Sequence, residues 1–461
     1  VNLSSAHDWD ALLADALPHL QALLDTQRSP TGHPVTGDDR ALRERPAAPL
    51  PGTGDPLPEV LSGLRALLST GGYLNGAHPQ YFGYFHPRPL PVAVLGDAVA
   101  ALLNQSPAAW RMGPAATALE HETLGWLAEL VGYPVAGGPP GVFTSGGSTA
   151  NLLALKLARD TALGRATQDT GITGSARLAF YVSADNHYSL PRALDVLGLG
   201  RDALRPVPVD AGGRVSVPAL RARIAGDRAA GYTPACVIGL ACATSTGAVD
   251  PLAELADLAA EQGLWFHVDG AAGVPFAAVP DTAAAFTGLD RADSVTVDPH
   301  KWLFTPYGLG CLLVRDSGEL ARSFRGGDRY WRAGDDPDPV LLTTEGARPW
   351  KSLGLWLAVR ALGREGYTAL LARNLRVARY LAERVRARPD LELLREPTLP
   401  VVCFRVLASD GHNERLCQAL TDSGQFLLTT CQAEGRTWLR VAVNNTTTGT
   451  EHIDALLAAL A

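Results

Sequence analysis

This sequence predicts an α/β protein. It would have a mostly parallel sheet of seven strands covered on both faces by helices, and a smaller C-terminal α+β domain. Three observations point there. Beyond Pro89, short apolar strand patterns alternate with helical ones, as they do where each strand reaches a parallel neighbour through a crossover helix. Those strands are apolar runs, the pattern of strands buried on both faces. And 461 residues, 46% hydrophobic and 19% charged, make a chain able to bury a large core.

In chain order, Leu12, Leu13, Ala16, Leu20, Leu23 and Leu24 recur at helical spacing, predicting an amphipathic helix from Asp8 to Gln27. Residues 29–58, rich in Pro, Gly and charge, read as an extended connector. Pro58 to Thr70 reads as a helix and Tyr73 to Phe85 as an aromatic-rich turn region. Helices are predicted at 91–104, 114–131, 148–163, 189–198, 216–229 and 251–262. Strands are predicted at 141–144, 178–182, 204–207, 235–240, 264–268, 294–297 and 309–314. From Gly326 to Gly346, Gly, Asp, Arg and Pro surround Tyr330-Trp331, predicting a mobile loop. Helices at about 350–363 and 367–387 follow, then strands and helices to Ala461. The resulting division is an N-terminal helical and extended segment (1–88), a large domain (89–345) and a small α+β domain (346–461).

A net charge of −7 leaves no electrostatic footprint for nucleic acid or an anionic membrane surface. No apolar run approaches the roughly 20 residues of a membrane-spanning helix. Val1 to Asp10 lacks the basic-then-apolar order of a signal peptide. The six cysteines form no CxxC pair, so reduced thiols and a cytoplasmic location are expected. No HExxH is present and no metal site is predicted. Abundant Ala, Leu, Arg and Gly with scarce Lys suggest a GC-rich bacterial genome.

The chemistry concentrates at strand ends. Ser294-Val295-Thr296-Val297 runs into Asp298-Pro299-His300-Lys301-Trp302, and upstream Leu264-Trp265-Phe266-His267-Val268 runs into Asp269-Gly270-Ala271. A lysine and an aspartate so placed are what pyridoxal phosphate needs. The amine forms an imine with its aldehyde, and the carboxylate keeps the pyridine nitrogen protonated so that the ring accepts electrons. Partial burial is expected to lower the Lys301 pKa toward neutrality. Asp269 either caps the following turn or pairs with a pyridinium N–H. Ser145-Gly146-Gly147-Ser148-Thr149-Ala150-Asn151 joins a strand to a helix, where glycines, hydroxyls and unpaired N–H groups suit a phosphate. His187, after strand 178–182, is either structural or stacked on a cofactor ring. Thr244 lies in another strand-to-loop transition, where its hydroxyl satisfies a turn or touches the cofactor. Tyr330 would be a proton donor if its loop closes.

Together these stretches resemble the group II pyridoxal-phosphate amino-acid decarboxylases, which include aromatic-L-amino-acid, histidine and glutamate decarboxylases. The likeness runs from about residue 60 to the C-terminus. It includes His78-Pro79-Gln80-Tyr81-Phe82-Gly83-Tyr84-Phe85, the block Ser106 to Leu119, the Gly-Gly-Ser segment and Asn186-His187-Tyr188-Ser189. It continues through the Asp269 and Lys301 motifs, Gly346-Ala347-Arg348 and Val401-Val402-Cys403-Phe404-Arg405. The resemblance implies a type I, aspartate-aminotransferase-like fold and a homodimer with active sites at the subunit interface. It matches Lys301 to the imine-forming lysine, Asp269 to the partner of the pyridine nitrogen, and His187 to the stacking histidine. Thr244 and Ala271 match cofactor contacts, Gly146, Gly147 and Ser148 the phosphate loop, and His300 the histidine before the lysine. Tyr330 matches the loop tyrosine linked to protonation of the carbanion. Asp298 stands where the animal aromatic enzymes carry an asparagine that helps hold phosphate, and it is a further candidate cofactor contact, although an anion there repels phosphate unless it is neutralised or turned away.

The implied reaction is α-decarboxylation of an L-amino acid to its amine, with the α-carbon protonated by Tyr330 or by His187. Tyr81, Phe82, Tyr84 and Phe85 suggest an aromatic substrate, unless these rings only build the dimer core. Tyr84, Phe85, Pro87, Ser106, Ala108 and Ala347 are the expected substrate contacts. Ser106 and Ala108 match pocket-wall positions that are larger in the animal aromatic enzymes. They either make room for an indole or weaken aromatic packing. Arg88, if it points inward, would favour an acidic side chain. The alternatives are an acidic or other non-aromatic L-amino acid such as aspartate, glutamate or 2,4-diaminobutyrate, an aldehyde synthase or aminotransferase, and a non-enzymatic scaffold.

Overall fold

The computed structural model describes residues 9–28, 34–37, 40–69, 71–134, 136, 138–173, 176–324 and 338–460. Its centre is a seven-stranded sheet: β3 (Gly141–Thr144), β4 (Leu178–Ser183), β5 (Leu204–Val207), β6 (Thr233–Leu240), β7 (Trp265–Asp269), β8 (Ser294–Val297) and β9 (Gly310–Val314). The spatial order is β3-β9-β8-β7-β6-β4-β5, with β9 antiparallel to both of its neighbours and the remaining pairs parallel. All seven fall where the apolar runs predict them. β3, β4, β7, β8 and β9 are buried along their whole length, as strands covered on two faces must be.

Upstream lie α1 (Trp9–Arg28), α2 (Leu57–Ser69), α3 (Pro91–Leu103) and α4 (Pro114–Val131). The sheet is wrapped by α5 (Gly147–Leu163), α6 (Ser189–Val196), α7 (Val217–Ala229) and α8 (Leu252–Gln262). Then α9 (Ser352–Arg386) spans both helices predicted after 350, broken at Gly363 (φ 62°, ψ −177°). A four-stranded antiparallel sheet follows, ordered β10 (Leu391–Leu393), β11 (Val401–Val406), β13 (Arg436–Ala442), β12 (Thr429–Ala433). Two helices, α10 (Asp410–Asp422) and α11 (Thr450–Ala458), complete this part. Its apolar core joins Phe404, Leu439 and Val441 to Leu381 of α9 and to Phe82 from the N-terminal segment.

One expectation is corrected. The connector at 29–58 and the region after Thr70 contain strands, β1 (Val35–Gly37) pairing antiparallel with β2 (Gly71–Leu74). Three of their seven residues are glycines, which are depleted in strands and leave no apolar run to mark either one. Tyr330 and most of the predicted 326–346 loop lie outside the described residues. Among the described residues, no helix is long and apolar enough to cross a membrane. The six cysteines are buried free thiols.

Candidate active site

Parallel strands end on one side of the sheet, and the loops leaving β3, β4, β6, β7 and β8 converge there on a cavity of about 360 Å³. Its lining includes Gly146, Gly147, Ser148, His187, Thr244, Asp269, Ala271, Asp298, His300 and Lys301. Ten predicted cofactor contacts from five segments thus face one space.

At the floor, Asp269 ends β7 and is 8% exposed. Its Oδ1 accepts from the Ala271 amide (3.3 Å) and its Oδ2 from Asn151 Nδ2 (2.9 Å). Asn151 Oδ1 in turn accepts from Thr296 Oγ1 (2.7 Å) and from His267 Nε2 (3.1 Å). Burial pushes His267 down to about 4, so its ring is neutral.

At one wall, α5 begins at the Gly146-Gly147 turn, so its first amides lack intrahelical partners and its dipole favours an anion. The turn is pressed against its surroundings. A Cβ on Gly147 would stand 2.8 Å from Asp298 Oδ2 and 3.1 Å from Ala271 Cβ. A Cβ on Gly310, which opens β9, would stand 2.4 Å from Gly146 Cα. Side chains at either position would fill the cradle. His300 donates Nδ1–H to the Leu309 carbonyl (2.7 Å), since a carbonyl only accepts, and burial lowers its pKa.

Asp298 is neutralised. Its Oδ2 lies 3.0 Å from Lys301 Nζ and 3.7 Å from His300 Nε2, while Oδ1 is buried without a partner among the described residues. This corrects the expected direction for Lys301. Burial disfavours its ammonium, but the charge and hydrogen bond of Asp298, joined by Asp269, outweigh burial, and the net shift is upward. His187 shifts the other way, lowered mainly by burial and secondarily by Lys301, against the pull of Asp269 and Asp298.

The expected substrate contacts divide. Phe85 lines the cavity, with Lys301 Nζ 5.8 Å from its ring centroid. Tyr84 is 56% exposed, and Pro87 is buried. Ser106 Oγ donates to the Arg348 carbonyl (3.1 Å), Ala108 is fully buried, and Ala347 is exposed. None of these five, nor Arg88, is among the described residues lining this chain's cavity.

Among the lining or supporting residues that sequence reading does not single out, three carry polar contacts. Tyr307 lines the mouth and donates to the Phe85 carbonyl (3.2 Å). Arg440 of β13 is buried, donates Nε to the Thr244 carbonyl (2.9 Å) and Nη1 to that of Gly83 (2.8 Å), and lies 4.7 Å from the Phe85 ring centroid. Asn151 supports the floor. A polar residue inside an apolar run marks both of the buried ones: Arg440 in Trp438-Leu439-Arg440-Val441-Ala442, and Asn151 in Ala150-Asn151-Leu152-Leu153.

The donors fit pyridoxal phosphate: an amine for its aldehyde, a carboxylate for its ring nitrogen, and a helix start with a side-chain-free turn for its phosphate. The fold and site are those of a type I pyridoxal-phosphate enzyme. The model of the pyridoxal-dependent decarboxylase conserved domain matches residues 41–407, and the chain belongs to that family. It is 30% identical to an aromatic-L-amino-acid decarboxylase of Bacillus atrophaeus, covering 96% of this chain and 91% of that one. It is 34% identical to an L-2,4-diaminobutyrate decarboxylase of Rhizobium meliloti, covering 88% and 83%. The crystal structure of Oryza sativa TDC with PLP and tryptamine superposes with a TM-score of 0.89 at 26% identity, covering 98% of this chain and 97% of that one.

Proposed function

We propose that this decarboxylase acts on an aromatic L-amino acid, releasing its α-carboxyl group as CO2 and leaving the amine. The observation that carries this reading is the ring lining of the cavity mouth. Phe85 and Tyr307 line it, and Tyr188 stands beside His187 with ring centroids 4.1 Å apart. Flat apolar faces there suit a flat apolar side chain.

Bound pyridoxal phosphate supplies the electron sink for the bond that breaks. In this reading Lys301 Nζ would hold the cofactor's aldehyde, for which it would have to give up the proton that Asp298 favours. Asp269 would keep a proton on the ring nitrogen. The amides of Gly147 and Ser148 would hold the phosphate. His187, Thr244 and Ala271 would contact the cofactor ring, and Tyr330 would deliver a proton to the substrate's α-carbon. Tyr84, Ser106 and Ala347 would reach a cavity across a homodimer interface, each copy completing the other's mouth, while Ala108, buried in its own chain, would only back that wall.

A second reading, a 2,4-diaminobutyrate or other non-aromatic substrate, is favoured by the 34% identity to the Rhizobium meliloti relative. The small Ser106 and Ala108 also suit it. A panel of L-amino acids assayed for CO2, amine, ammonia and peroxide separates the readings. Tryptophan, tyrosine, phenylalanine or DOPA should give CO2 and amine in equal amounts. Turnover confined to aspartate, glutamate or 2,4-diaminobutyrate, or release of peroxide with aldehyde, would overturn the aromatic amine-forming assignment.

A further inference from the structure

Asn151 sits in the first turns of α5, buried to 1% exposure, and all four hydrogen-bonding capacities of its amide are used. Its orientation follows from its partners. The Asp269 carboxylate only accepts, so Nδ2 faces it at 2.9 Å, and Oδ1 faces the Thr296 hydroxyl and His267 Nε2. An amide oxygen also only accepts, so His267 carries its proton on Nε2. Its Nδ1 then accepts from Ser294 Oγ (2.9 Å), whose oxygen accepts from Trp265 Nε1 (2.9 Å). Every polar group in this buried chain has a partner, which is the condition under which such networks rigidify a site.

The second Asn151 amide proton goes to Ser189 Oγ (3.0 Å), and this is where the floor meets the wall. The Ser189 backbone N–H donates to His187 Nδ1 (3.3 Å), so that nitrogen accepts, and the Ser189 hydroxyl, whose oxygen accepts from Asn151, donates to the same Nδ1 (2.8 Å). Two donors on Nδ1 leave the His187 proton on Nε2. We propose that Asn151 is a positioning residue that locks the two groups flanking the cofactor ring to each other. One amide proton holds the Asp269 carboxylate. The other, through Ser189, holds His187 as the Nε2–H tautomer. His187 then offers the bound substrate a hydrogen-bond donor and not a base. This rests on the reading that Asp269 and His187 bracket the ring, but the tautomer itself belongs to the protein without cofactor.

The test uses the full chain, with and without pyridoxal phosphate, in three forms: wild type, Asn151→Ala and Ser189→Ala. Nitrogen-15 spectra of histidine in the cofactor-free protein should place the wild-type His187 proton on Nε2. In both variants an Nδ1–H share should appear. The dissociation constant for pyridoxal phosphate should rise about tenfold in Asn151→Ala, the loss of about 1.4 kcal/mol at the Asp269 arm. In Ser189→Ala, which cuts only the His187 arm, it should stay within about threefold. A wild-type Nδ1–H tautomer overturns the proposal, as does a His187 spectrum unchanged in Ser189→Ala. So does an Asn151→Ala dissociation constant within about twofold of wild type. Should Asn151→Ala fail to fold, as thermal unfolding would reveal, Ser189→Ala decides by the spectrum alone. None of these readouts requires turnover, so an inactive preparation would count against the proposed reaction and not against the network.

Discussion

The floor and the mouth of the cavity are built in opposite ways. At the floor, Asp269, Asn151, His267 and Thr296 are buried and bonded to one another, on strands and a helix of the central sheet. At the mouth, Tyr188 and Tyr307 are more than half exposed, and Phe85 and Tyr307 come from loops. Cofactor chemistry tolerates little displacement of a charge, so it sits where packing and hydrogen bonds fix each atom. Substrate choice varies among relatives of one fold, and here it is assigned to exposed rings and, in our reading, to a second subunit.

Breaking the floor should have the largest effect. Lys301→Ala is expected to lower turnover by roughly a thousandfold or more, because the attachment point is gone. Borohydride treatment followed by peptide mass analysis should then leave the 301 segment unmodified. Full activity in that variant would remove the basis for the site assignment.

Asp298→Asn probes a charge that stands between Lys301 and the phosphate turn. Imine formation needs the free amine, and Asp298 holds Lys301 protonated by raising its pKa. Attachment of pyridoxal phosphate should therefore speed up as pH rises through the Lys301 titration. The asparagine variant should move that profile to lower pH and attach the cofactor roughly several-fold faster near neutrality. Stopped-flow absorbance of the cofactor-free protein measures it, and an unmoved profile would mean that Asp298 does not control the amine.

At the mouth the effect should be smallest and of a different kind. Phe85→Leu should raise KM for an aromatic substrate by roughly two- to tenfold, the worth of one aromatic contact, without changing cofactor affinity. A loss of cofactor instead would show that the two regions are not separable.

Much of the floor was legible in the sequence. β7 and β8 announce themselves as β-branched or aromatic runs, and each ends in the residue that carries chemistry, Asp269 or the Lys301 motif. The Gly146-Gly147 turn was legible because strand, glycines and helix stand in order. Other features depend on partners distant in sequence. Asn151 meets Asp269, His267, Thr296 and Ser189, and nothing local to residue 151 names them. The direction of the Lys301 shift depends on where the Asp298 side chain turns. Desolvation, the only effect that local sequence exposes, argues for the opposite sign. The β1–β2 pair escaped because Val35-Thr36-Gly37 and Gly71-Gly72-Tyr73-Leu74 carry three glycines and no apolar run such as marks the equally short β3 and β8. Ser106, Ala108 and Ala347 match a family pocket in sequence, yet in one chain they stand away from its cavity.

The contact between Gly310 and Gly146 has a bearing on engineering. With 2.4 Å between the Gly146 Cα and the place where a Cβ on residue 310 would begin, the reversed strand acts as a gauge block that sets how high the anion-binding bend rides above the sheet. A mutagenesis library aimed at new substrates can range freely over the rim. Any member that adds even a methyl group at position 310 would lift that bend and forfeit the cofactor before its selectivity could be tried.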